Sequence, residues 1–81
     1  MEELISSFEK NALEEIRVSL TEYRGRQLID LRVYYLTAEG EPRPTKKGVA
    51  ISVELYPELK EALAKLDQTL KDRGLLQDSE I

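Results

Sequence analysis

The segment RVSLTEYRGRQLIDLRVYY, residues 17–35, reads as a β-hairpin turned at Arg24-Gly25. If those two residues form the loop, Tyr23 faces Arg26, Leu20 meets Ile29, Val18 meets Leu31 and Ile16 meets Val33. Side chains alternate faces along a strand, so these three apolar pairs share one face. A bulged turn with Gly25 as its left-handed residue is the alternative, and it shifts the register by one. The alignment of the three pairs favours the two-residue loop.

The opposite face collects Tyr23 with Arg26, Thr21 with Leu28, Ser19 with Asp30 and Arg17 with Arg32, followed by Tyr34. It is basic and partly aromatic. Two arginines directly across a ladder repel one another. A bound anion reverses that cost, so this face is expected to take phosphate.

At 81 residues the chain is one small domain, and a domain of this size buries only about 60% of its unfolded surface. Cys and His are both absent, which removes disulfides, thiol chemistry and the usual zinc ligands as sources of stability. Oligomerisation remains. No apolar run approaches the roughly 18 residues of a membrane span, and residues 1–16 are acidic where a signal peptide is basic. An intracellular protein with no cofactor and no membrane association is expected.

The net charge of −4 conceals an uneven distribution. Residues 1–16 carry one Lys against five Glu, residues 17–48 carry seven Lys or Arg against four Asp or Glu, and residues 49–81 carry four against seven. The hairpin region is a basic island in an acidic chain.

Leu4, Ile5 and Phe8 have the spacing of a helical stripe, so residues 1–12 are expected to form an amphipathic turn within a flexible arm over 1–14. The domain proper is placed at 15–73 and a tail at 74–81. After Tyr35, residues 38–41 form a turn. Pro42-Arg43-Pro44 is a short edge strand, because prolines at alternate positions remove ladder donors. Thr45-Lys46-Lys47-Gly48 is a second basic turn, and Val49, Ile51 and Val53 define a fourth strand. Pro57 opens a helix on which Leu59, Leu63, Leu66 and Leu70 form one stripe, and Gly74 ends it. The architecture is therefore α+β, a four-stranded antiparallel sheet followed by one C-terminal helix. The leucines either cover their own sheet or meet the same helix of a second copy in a homodimer.

Tyr23, Arg24 and Arg26 at the hairpin tip, with Arg17 and Arg32, form the main candidate site. A polar, solvated tip is the plain reading, and it yields only because so many cations converge there. Lys46, Lys47 and Gly48 form a second candidate, with Arg43 as a further contact. No catalytic set is recognisable: the serines lack a base, the carboxylates lie on solvated faces, and the glycines at 25, 40, 48 and 74 make no phosphate loop.

The segments VSLTEYRGRQLIDLRVYY, AEGEPRPTKKGVAIS and LKEAL resemble the C-terminal domain family of the transcriptional coactivator positive cofactor four, over about residues 15–70. The resemblance implies a curved antiparallel sheet, dimerisation through the helices at Leu59, Leu63, Leu66 and Leu70, and grooves for single-stranded DNA. The family's tip aromatic matches Tyr23, its neighbouring cations Arg24 and Arg26, its strand arginine Arg32, and its next aromatic, typically Trp, matches Tyr35. Its later basic turn matches Arg43, Lys46 and Lys47, ahead of Gly48. Strand alternation puts Tyr35 opposite Arg32, so either a bulge intervenes or Tyr34 takes its place.

The expected function is non-enzymatic binding of single-stranded DNA with little sequence preference, in transcription regulation or the handling of melted DNA. RNA binding and a protein-interaction module gripping an acidic peptide are the alternatives, and the transcription machinery is a candidate partner. A compact prokaryotic member, cytoplasmic and nucleoid-associated, is expected; a eukaryotic one would be nuclear.

Overall fold

The computed structural model describes residues 2–76. Four strands, β1 (Glu3–Asn11), β2 (Glu14–Tyr23), β3 (Arg26–Leu36) and β4 (Pro42–Ser52), are followed by a 3₁₀ turn (Val53–Leu55) and the helix α1 (Tyr56–Asp72). The strands form one antiparallel sheet in the order β1-β2-β3-β4. This is the α+β arrangement read from the sequence.

The central hairpin has the register expected of it. Tyr23 pairs with Arg26, Leu20 with Ile29, Val18 with Leu31 and Ile16 with Val33, without irregularity. Arg24 and Gly25 both have positive φ, 53° and 79°, as a two-residue type I′ loop requires. Arg24 adopts this conformation at some cost, because a Cβ disfavours the left-handed region. The uninterrupted apolar pairing outweighs it.

The flanking strands differ from the expectation. Residues 3–11 form no helical turn; they are strand β1, paired with β2 from Glu3↔Leu20 to Asn11↔Glu14. Two register shifts, between Leu4 and Ser6 and between Glu9 and Asn11, break the period-two pattern of its apolar residues. Those shifts made Leu4, Ile5 and Phe8 look helical in sequence.

The expected third strand, basic turn and fourth strand are one element, β4. Its pairing runs from Leu28↔Ser52 to Leu36↔Pro42, with a bulge where β3 advances from Arg32 to Tyr34 while β4 advances from Gly48 to Pro44. Pro42 and Pro44 are tolerated because β4 is an edge. The sheet thus has four strands, composed differently from the four anticipated.

Pro57 lies in the first turn of α1, and Glu61–Lys65 and Asp67–Lys71 ion pairs link successive turns. At its end, Gly74 has φ 71°, and its N–H donates to Lys71 O while that of Leu75 donates to Leu70 O. This is a Schellman closure. Of the expected tail, residues 77–81 lie outside the described part.

Helix α1 does not lie on the sheet. It packs against the 3₁₀ turn, with at most marginal contact to any strand. Among the described residues no hydrophobic side chain is buried, and Leu63 and Leu66 are 54% and 51% exposed. The radius of gyration is 15.1 Å, against about 12 Å for a compact domain of this length.

Candidate nucleic-acid interface

Cross-strand partners point to the same side of a sheet, so the β2–β3 register fixes the composition of each face. Tyr23 with Arg26, Ser19 with Asp30, Arg17 with Arg32, and Glu15 with Tyr34 occupy one side. Tyr23, Arg17, Arg26, Arg32 and Tyr34 are thereby brought together. Arg24 sits in the loop with its guanidinium carbon 5.2 Å from the centre of the Tyr23 ring, and Tyr23 is 59% exposed. The tip thus offers an accessible aromatic face edged by cations.

The facing arginines are not left to repel each other. Arg17 Nε donates to Glu15 Oε2, and its guanidinium carbon lies 4.8 Å from the centre of the Tyr34 ring. Arg32 Nε donates to Asp30 Oδ2 at 3.1 Å and Nη2 to Oδ1 at 2.9 Å. Each arginine pairs with a carboxylate two residues earlier on its own strand and face. The Arg17–Arg32 repulsion is offset within the chain, so the need for an anion inferred from sequence does not follow from that pairing alone. Glu15-x-Arg17 and Asp30-x-Arg32 were visible as period-two pairs, the signal by which these carboxylates could have been found.

Arg32 also stitches the β4 bulge. Nη1 donates to Thr45 O at 3.1 Å, Thr45 Oγ1 donates to Val33 O at 2.7 Å, and the Lys47 N–H donates to Thr45 Oγ1 at 3.1 Å. The Arg32 pKa is raised, first by its hydrogen bonds to Asp30. Gly48 pairs with Arg32, and a Cβ added there would stand 2.5 Å from Leu31 O and 3.1 Å from Arg32 Cζ. The glycine serves the close passage of Arg32, and Lys46 and Lys47 lie in a bulge rather than a turn.

The other face holds Tyr35 and Arg43. The β2–β3 pairing is regular through Tyr34 and Tyr35, so their rings lie on opposite sides; no bulge there returns Tyr35 to the Arg32 side. Tyr35 stands between Glu14 and Arg43 in the register and is 46% exposed. Glu14 accepts from Asn11 Nδ2 at 2.8 Å and Lys10 Nζ at 3.1 Å. Asn11, then Lys10 and more weakly Lys47, hold its carboxyl below the usual value. Sequence reading passed over Lys10, Asn11 and Glu14 because it placed them in an arm outside the domain.

An antiparallel meander with one trailing helix, bearing arginines and tyrosines on one side, defines a class of small sheet-faced proteins. The chain belongs to the Transcriptional Coactivator p15 (PC4) family, whose model matches residues 10–62. It is 39% identical over 59 residues to the RNA polymerase II transcriptional coactivator SUB1 of Saccharomyces cerevisiae, an alignment covering 72% of this chain and 20% of the yeast protein. The chain thus spans a small part of that relative's length. Among solved structures, a PC4 homolog from Burkholderia pseudomallei, BPSL1147, superimposes with a TM-score of 0.76 at 31% identity, covering 80% of this chain and 88% of that one. A MoSub1 complex with single-stranded DNA superimposes with a TM-score of 0.64 at 28% identity, covering 84% and 78%.

Proposed function

We propose that the chain is a non-enzymatic protein that binds single-stranded DNA across the side of the sheet carrying Arg17, Tyr23, Arg26, Arg32 and Tyr34. The observation that carries this reading is the gathering of those residues on one face by the β2–β3 register. Guanidinium groups hold phosphates, and tyrosine rings stack unpaired bases without regard to their identity. A duplex hides the base faces that the rings need, so unpaired strands are favoured. The solved MoSub1 complex with single-stranded DNA supports single-stranded DNA as the ligand class. Arg24 in the loop and Lys46 and Lys47 in the bulge add positive charge, Lys47 from the side of Glu14.

The working unit is a homodimer. An extended chain with no buried hydrophobic side chain among its described residues and a helix with at most marginal contact to its own strands has its apolar surfaces available for a second copy. Leu59, Leu63, Leu66 and Leu70 form the contact. The process served is transcription or the handling of melted DNA, in the nucleoid of a prokaryotic cell or the nucleus of a eukaryotic one. Fluorescence anisotropy with labelled single-stranded, duplex and RNA oligonucleotides over a salt series tests the proposal. Tight binding to the single strand that weakens with salt supports it; indifference to all three at low salt leaves instead a basic face for an acidic peptide.

A further inference from the structure

At the end of the sheet, where β1 turns into β2, an open groove of about 580 Å³ beside Tyr35 is lined by Asn11, Ala12, Leu13, Glu14, Tyr35 and Leu36. Its floor is anchored, because the Leu36 N–H donates to Leu13 O at 2.9 Å and the Leu13 N–H donates to Asn11 Oδ1 at 2.9 Å. The walls are apolar and aromatic: Leu13 is 69% exposed and Tyr35 46%.

The polar edge of this groove is directional. Lys10 Nζ and Asn11 Nδ2 both donate to Glu14 Oε1, at 3.1 and 2.8 Å. No donor among the described residues reaches Oε2. The carboxylate is thus held from one side and offers its other oxygen as an acceptor. Two cations border the groove: Arg43 is the register partner of Tyr35, and the side chain of Lys10, besides its bond to Glu14, is 43% exposed.

We infer that this groove receives one unpaired nucleobase of the bound strand, and that Glu14 selects a base carrying an exocyclic amine, namely cytosine, adenine or guanine, over thymine. This rests on the single-stranded DNA reading above and adds a base preference at one position. The exposed Tyr35 ring offers a stacking face to a flat heterocycle beside the carboxylate of Glu14, its cross-strand partner, and single strands present splayed bases whose edges a side chain can read. A phosphate cannot take this place, since the carboxylate repels it; the neighbouring cations instead suit the phosphates on either side of the base. A carboxylate accepts from an amino group such as cytosine N4, whereas thymine presents carbonyl oxygens flanking a single N–H. Tyr34 and Tyr35 are consecutive residues on opposite faces. A strand leaving the Arg17–Tyr34 side around the end of β3 therefore meets the second ring directly.

Anisotropy at neutral pH with oligo-dC and oligo-dT of equal length, on the wild-type protein and Glu14→Gln, tests the inference through the ratio of the two affinities. The wild type is expected to prefer oligo-dC by about fivefold, the low end for one base-edge contact. In Glu14→Gln that ratio falls to near one while oligo-dT binding is retained. Tyr23→Ala, on the other face, weakens both oligonucleotides and leaves the ratio unchanged. Equal affinities in the wild type, or a preference that survives Glu14→Gln, overturn the inference and leave the single-strand reading standing. Failure of the wild type to bind either oligonucleotide overturns both.

Discussion

Gly48 lies against Arg32 so closely that a methyl group on it would stand 2.5 Å from the Leu31 carbonyl oxygen and 2.9 Å from the Arg32 Cα. Both obstacles are backbone, so the sheet itself would have to move. Gly48→Ala is expected to destabilise the protein by about 1–3 kcal/mol, the usual cost of overpacking. Urea unfolding of the variant against wild type checks this. The same change is expected to weaken oligonucleotide binding, because it displaces Arg32.

Glu15 and Arg17 share a face and an ion pair, so a phosphate must compete with Glu15 for the guanidinium. Glu15→Gln is expected to tighten single-stranded DNA binding severalfold. It should also steepen the plot of log affinity against log salt by up to about one counterion. A salt series by anisotropy reads both. Weaker binding in this variant would mean that Glu15 positions Arg17 rather than occupying it.

Tyr23 is 59% exposed at the hairpin tip, where its ring carries little of the fold. Tyr23→Ala is expected to cost about 1–3 kcal/mol of binding free energy, the range for one base–aromatic stack, with an unchanged unfolding midpoint. Paired titration and thermal melts of the variant separate the two effects.

The carboxyl of Glu14 is held below its ordinary pKa, first by Asn11 and then by Lys10. A depressed folded-state pKa contributes stability that is present above the unfolded-state value and is lost as pH falls through the folded one. The difference in unfolding midpoint between wild type and Glu14→Gln is therefore expected near neutrality and shrinks in acid. Denaturation at a series of pH values from neutral to about 3 covers the carboxyl range and checks it.

How much was legible follows from where the period-two pattern is unbroken. From Glu14 to Tyr23 and from Arg26 to Tyr35 every residue has one partner across the hairpin, so the loop, the register and the separation of Arg17, Tyr23, Arg26 and Arg32 from the apolar pairs could be read directly. The edge strands carry bulges. There Phe8 passed for part of a helical stripe, and Thr45-Lys46-Lys47-Gly48 passed for a turn. The resemblance located Tyr35 in the family pattern, but only the regular pairing of Glu15 with Tyr34 and Glu14 with Tyr35 puts the two rings on opposite sides. The contacts that tame the arginines were present as Glu15 and Asp30, one alternation away. They went unused because the reading counted cations rather than pairing them.

The central claim is that one side of the β2–β3 ribbon is where an unpaired strand lies. Titrating isotope-labelled protein with unlabelled single-stranded DNA, and following the backbone amide resonances, tests it most directly. The expected result is that the largest changes fall on Arg17, Ser19, Tyr23, Arg26, Arg32 and Tyr34, with the amides of α1 unaffected. Changes concentrated along Leu59, Leu63, Leu66 and Leu70, with that ribbon silent, would contradict it.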